Sequence, residues 1–128
     1  MRAEWRFDSD DFASLRATRG SAIELLRRNA TASADIDACA VVLSELISNA
    51  ALHAPSGSIC VAIDWTEPSP LFAVTDPGGG FTPKIDLPPA TSEGGRGLFL
   101  VENLAATPRV DVDERGCTVS VRLPIARL

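Results

Sequence analysis

Apolar and polar positions change their period along the chain, and those changes divide it into elements. Trp5 and Phe7 alternate with Glu4 and Arg6, which predicts a short strand over residues 4–7. Asp10 or Asp11 can cap a helix carrying Leu15, Ile23, Leu25 and Leu26, with Gly20 a costly interruption. Thr31 or Ser33 opens a second helix running to about Ala54, where Pro55 and Gly57 end it. Residues 58–66 and 70–75 are rich in β-branched and apolar side chains and flank Glu67-Pro68-Ser69-Pro70, a hairpin signal. A Gly/Pro-rich segment extends from Pro77 to Arg96, followed by a helix from Leu98 to Ala106. Strands over 108–113 and 117–123, turned at Glu114-Arg115-Gly116, close the chain. Helices early and strands late predict an α+β fold: a two-layer sandwich with a mixed, mostly antiparallel sheet and helices on one face. At 128 residues the chain is expected to form one domain spanning 1–128.

The second helix carries the most information. At 100° per residue, Ile36, Ala40, Leu43, Ile47 and Ala54 centre one apolar face suited to a sheet. The opposite side is mixed: Glu45, Asn49 and His53 recur at i, i+4, flanked by Val41, Val42 and Leu52. A solvated face rarely interleaves β-branched residues with a carboxylate, so this side is expected to be partly covered, as a cleft wall is. A plain surface stripe is the competing reading, and His53 reads more simply as a structural hydrogen-bonding residue than as an acid or base.

Downstream, Asp76 ends the apolar run Leu71-Phe72-Ala73-Val74-Thr75 and precedes Gly78, Gly79 and Gly80. A carboxylate beside backbone that can approach a ligand closely is able to accept a hydrogen bond from an amino group; Asp-Pro-Gly is equally a turn signal. The following stretch of some 20 residues, with Pro83, Pro88 and Pro89, is long for a connection in so small a domain and has the length of a functional lid. It ends in Gly94-Gly95-Arg96-Gly97 just before a helix, where free N–H groups and the positive dipole end suit phosphate; a hinge with an N-cap is the alternative. Neither Gly-x-x-x-x-Gly-Lys-Ser/Thr nor a complete Gly-x-Gly-x-x-Gly is present. One histidine and no Gly-x-Ser-x-Gly give a serine triad little support.

Composition narrows the classes further. A net charge of −5 argues against nucleic acid and predicts that any charged partner surface is basic. Cys39, Cys60 and Cys117 are odd in number and lack ligand spacing, so neither a disulfide framework nor a zinc knuckle is indicated. The N-terminus is charged where a signal peptide is apolar, and no uninterrupted apolar run is long enough for a membrane span. A cytoplasmic protein without a membrane partner is the expectation.

The motifs gain weight from their order: Glu45 and Asn49 four apart, Asp76-x-Gly78-x-Gly80 after a strand, a lid, Gly95-x-Gly97 at a helix start, and Gly116-Cys117-Thr118 in a final strand. Over roughly residues 35–123 this resembles the Bergerat nucleotide fold of gyrase, histidine kinases and MutL, and most closely the stand-alone anti-sigma-factor serine/threonine kinases. The resemblance implies ATP and Mg²⁺ as cofactors. It implies that Asn49 holds the metal, Glu45 is the general base and Asp76 binds the adenine amine. Gly78 and Gly80 would shape the base pocket, Thr118 would support the base, Gly95 and Gly97 would close on the phosphates, and Arg96 would reach the γ-phosphate. It further implies two protein partners, a sigma factor and an anti-sigma-factor antagonist phosphorylated on Ser or Thr, and a homodimer. Two other readings stay open: a nucleotide-gated binding protein without kinase activity, and an interaction domain.

Overall fold

A computed structural model of the chain describes residues 1–53, 57–78, 96–114 and 116–128. The elements run β1 (Arg2–Asp8), α1 (Phe12–Asn29), α2 (Ile36–His53), β2 (Ser58–Asp64), β3 (Leu71–Asp76), α3 (Arg96–Leu104), β4 (Arg109–Asp113) and β5 (Gly116–Arg122). The strands form a five-stranded sheet in the order β1-β2-β3-β5-β4. Each pairing among them is antiparallel, so the parallel component allowed by the sequence does not occur among the described residues.

One face of the sheet is dry. Phe7, Ile59, Val61, Ile63, Phe72, Val74, Cys117, Val119 and Val121 alternate along their strands and meet Ala22 and Leu26 of α1, Cys39, Val42, Leu43, Leu46 and Ile47 of α2, and Val101 of α3. The other face has no helix against it among the described residues and carries the alternate positions, which apart from Leu71 are small or charged. This is the two-layer α+β sandwich the periodicity predicts.

Local chemistry sets the element ends, which depart from expectation at the start of α2, at the end of β2 and in α3, which runs two residues earlier than expected. Asp11 caps α1: its Oδ1 accepts from the Ser14 N–H at 3.0 Å, and those bonds hold its carboxyl below the usual range. The second helix starts at Ile36 rather than at Thr31 or Ser33, and Asp35 supplies the acceptor, for the Ala38 N–H at 3.0 Å. The reason lies at the far end of the chain. The C-terminal tail draws residues 30–31 into extended backbone, with an Ala30–Arg127 bridge and the Thr31 N–H bonded to the Ala126 carbonyl at 3.0 Å. Strand β2 stops at Asp64, and Trp65, fully buried, donates its indole N–H to the Pro68 carbonyl at 3.2 Å.

Candidate functional site

Topology gathers one end of the sandwich. The register Cys60↔Thr75 and Asp76↔Cys117 sets the start of β2, the end of β3 and the start of β5 side by side. Helix α2 ends at His53 and β2 begins at Ser58, so its last turn lies within a few residues' reach of this end. Helix α2 also packs on β3 and α3.

Asp76 is the polar centre of that end. It is 5% exposed, and it shares its sheet face with Phe72 and Val74, so it points toward the helices. Its Oδ1 accepts from the Gly78 N–H at 2.7 Å, which closes a tight Asx-type turn after the strand. The turn and ligand readings of Asp-Pro-Gly are therefore compatible: one oxygen stabilises the turn, and the turn fixes the carboxylate. Gly116 makes this geometry feasible. Its φ is +130°, and a Cβ there would lie 1.8 Å from the Asp76 carbonyl oxygen, so only glycine passes.

Glu45 and Asn49 are half-buried on α2, four residues and hence about 6 Å apart along its axis. The expected partial covering of this helix side holds for them and for Val42, which is fully buried. It does not hold for Val41 and Leu52, which are 37% and 76% exposed. Beside Glu45, a shallow cleft between α1 and α2 is lined by Arg19, Ile23, Ala40, Val41 and Ser44, with the Arg19 guanidinium donating to the Ser44 hydroxyl at 3.3 Å. Arg96 and Gly97 form the first turn of α3; the Arg96 side chain lies outside what the structure describes, as do the His53 side chain, Gly80, Gly95 and the lid segment.

Thr118 borders the same ≈ 460 Å³ cavity as Asp76 but is not its partner across the strands. It pairs in register with Thr75, and the two hydroxyls lie 2.8 Å apart on the open face of the sheet. The residue beside Asp76 on the helix-facing side is Cys117, fully buried, whose thiol is pushed up by burial and then by the charges of Asp76 and Asp111. The sequence held a signal for this: Cys117, Val119 and Val121 alternate with Thr118, Ser120 and Arg122, which already assigns Thr118 to the polar face.

The antiparallel sandwich, with a buried acidic strand end on a strand against which the helix carrying Glu45 and Asn49 packs, is the Bergerat type of ATPase fold. Residues 9–123 match the family described as histidine kinase-like ATPase domain, and the chain belongs to that family. As a member it is an ATP-binding domain. Among solved structures it is similar to the Acinetobacter baumannii histidine kinase AdeS, with a TM-score of 0.58 at 18% identity. That alignment covers 94% of this chain and 66% of the other, so the likeness is one of fold. No curated protein sequence matches the chain. No described helix is long and apolar enough to cross a membrane.

Proposed function

We propose that this chain is an ATP-dependent serine/threonine protein kinase that also binds and inhibits a sigma factor, its substrate being a Ser or Thr of an anti-sigma-factor antagonist. The observation that carries this reading is the pairing of Glu45 and Asn49 one helical turn apart on a half-buried side of α2, the helix that packs on β3, whose last residue is the buried carboxylate of Asp76. Each group suits one task. A carboxylate fixed by the Gly78 N–H can accept a hydrogen bond from the amino group of a base such as adenine. An amide oxygen suits Mg²⁺, which favours oxygen ligands and is usually held by one or two side chains together with phosphates and water. Bound there, the metal would spread phosphate charge during transfer. Glu45, one turn away, would accept the proton of the attacking hydroxyl. Arg96, Gly97 and the N–H groups of the first turn of α3 would face the phosphates.

Calorimetric titration with ATP and ADP, with and without Mg²⁺, tests the pocket, and transfer from γ-labelled ATP to a purified anti-sigma-factor antagonist tests the chemistry. Metal-dependent ATP binding and label on Ser or Thr support the kinase. Binding without transfer, in a protein that still captures sigma factor in a nucleotide-dependent way, replaces it by the nucleotide-gated regulator. Absence of binding removes both.

A further inference from the structure

Beyond β5 the backbone continues as a tail over residues 123–128 that is stitched to the rest of the chain on two sides. On one side the Leu123 N–H donates to the Pro70 carbonyl at 2.9 Å and the Arg127 N–H to the Pro68 carbonyl at 3.3 Å, both in the β2–β3 connection. On the other side the Leu128 N–H donates to the Asn29 carbonyl at 2.9 Å, and Ala30 bridges Arg127, beside the bond from Thr31 to Ala126. Leu123 and Ile125 anchor the tail in the core, while Pro124, Ala126, Arg127 and Leu128 are exposed.

The tail holds a segment whose own sequence favours a different state. Residues 31–35 read Thr-Ala-Ser-Ala-Asp: Thr31 and Ser33 are capping types, and Ala32 and Ala34 are the best helix formers. With either cap, Asp35 would stand near the start of the helix, where a carboxylate complements the dipole. The Ala34 N–H already donates to the Thr31 carbonyl at 3.1 Å, a single turn that stops short of the helix at Ile36. Just before it, Ala30 has φ −86° and ψ 159° and ends α1 in extended backbone against the tail. Helical residues advance about 1.5 Å each and extended ones up to about 3.5 Å. Winding residues 32–35 into α2 therefore shortens the connection and pulls Ala30 and Thr31 against their bonds to the tail.

We propose that the tail is a strap across a two-state element. Docked, it keeps the α1–α2 connection unwound and α2 starting at Ile36. Released, it lets α2 grow back by up to about one turn, to a start at Ala34 or Ala32 capped by Ser33 or Thr31. The two states exchange one set of bonds for another: docking buries Leu123 and Ile125 and pairs Asn29 and Thr31 with the tail, and release replaces those contacts with helical hydrogen bonds. Helix α1 responds because its end is tied to the strap. Arg19 and Ile23 of α1 line one cleft with Glu45 of α2, so a shorter connection moves a wall of that cleft without any contact between tail and cleft. The device does not depend on what the cleft binds.

Backbone chemical shifts and amide hydrogen exchange of the full chain test the strap without nucleotide. In wild type, Ala30 and Thr31 are expected to show extended shifts, with helical shifts beginning at Ile36. The Thr31, Arg127 and Leu128 amides should open as one unit and exchange at least about tenfold faster than those of Val42 and Leu43. Ile125→Asp removes the anchor, and in it these three amides are expected to lose at least about another tenfold of protection while helical shifts appear over residues 32–35. Ile125→Val keeps an apolar anchor and should behave as wild type. A folded Ile125→Asp chain in which residues 32–35 stay unwound, or in which the tail stays protected, overturns the proposal. If that variant does not fold, exchange in wild type decides. Thr31, Arg127 and Leu128 opening together while Val42 and Leu43 stay closed supports the strap; their opening separately, or only with global unfolding, overturns it.

Discussion

The backbone of Gly116 and the carbonyl of Asp76 are in such close approach that no Cβ fits between them. The distance would be 1.8 Å, and Gly116 has a φ of +130° that other residues avoid. Gly116→Ala is therefore expected to shift either the β4–β5 turn or the end of β3, at a cost of at least about 2 kcal/mol from strain and displaced backbone. Denaturant unfolding with an unchanged slope would measure it. The nucleotide reading adds a second effect: because the displaced backbone is that of Asp76, ATP affinity should fall as well. Loss of stability with full ATP affinity would separate this turn from the pocket.

Asp76 and Thr118 are one position out of register and on opposite faces of the sheet, so their substitutions should differ. Asp76→Asn removes a charged acceptor from a buried site, and hydrogen bonds to charged groups contribute roughly 1.5–3 kcal/mol, so ATP is expected to bind at least about tenfold more weakly. Thr118→Val breaks the 2.8 Å contact with the Thr75 hydroxyl on a half-exposed face, at a cost near or below about 1 kcal/mol in stability. ATP affinity should stay within about twofold of wild type. Calorimetry on both variants decides whether Thr118 belongs to the base pocket.

The three thiols are free and differently placed. Cys60 is half-buried on the open sheet face; Cys39 of α2 and Cys117 of β5 are buried in the core between helices and sheet, and burial pushes the Cys39 thiol up from 9.0 to about 11. With a thiol-specific reagent near pH 8, Cys60 is expected to react first and the other two only on unfolding, as peptide mapping would show. The pH dependence has a definite sign. Between pH 9 and about 11 an unfolded Cys39 ionises while the folded one stays neutral, so stability is present below that window and declines as pH rises through it.

Periodicity made the layered architecture legible because it reports burial, and burial is what the sandwich imposes. Leu43 and Ile47 are fully buried as the helical pattern of α2 requires, and the alternation in β3 and β5 matches their faces. The start of α2 was not legible. Thr31, Ser33 and Asp35 are all good capping types, and the choice is made by the tail through the Ala126 carbonyl, far away in sequence. Val41 and Leu52 show another limit of pattern reading: their side of α2 is mixed in sequence, which predicts partial cover, yet both are exposed. For the candidate site, motif order located Asp76 and the Glu45–Asn49 pair, but the strand's side-chain alternation, rather than the motif, identifies Cys117 as the residue beside Asp76.

Glu45 and Asn49 share one half-buried side of α2 and, in the kinase reading, divide its chemistry between proton and metal. Glu45→Gln keeps the size and polarity of the side chain and removes the base. ATP affinity should stay within about twofold of wild type, while phosphate transfer to the antagonist falls by on the order of a hundredfold or more, the usual contribution of a positioned general base. Asn49→Ala removes the oxygen ligand, so the gain in ATP affinity on adding Mg²⁺ should shrink and metal-free binding should persist. The two variants thus fail differently, one in single-turnover transfer and the other in metal-dependent titration. If Glu45→Gln transfers phosphate at the wild-type rate, Glu45 is not the base and the nucleotide-gated regulator becomes the better account of the same pocket.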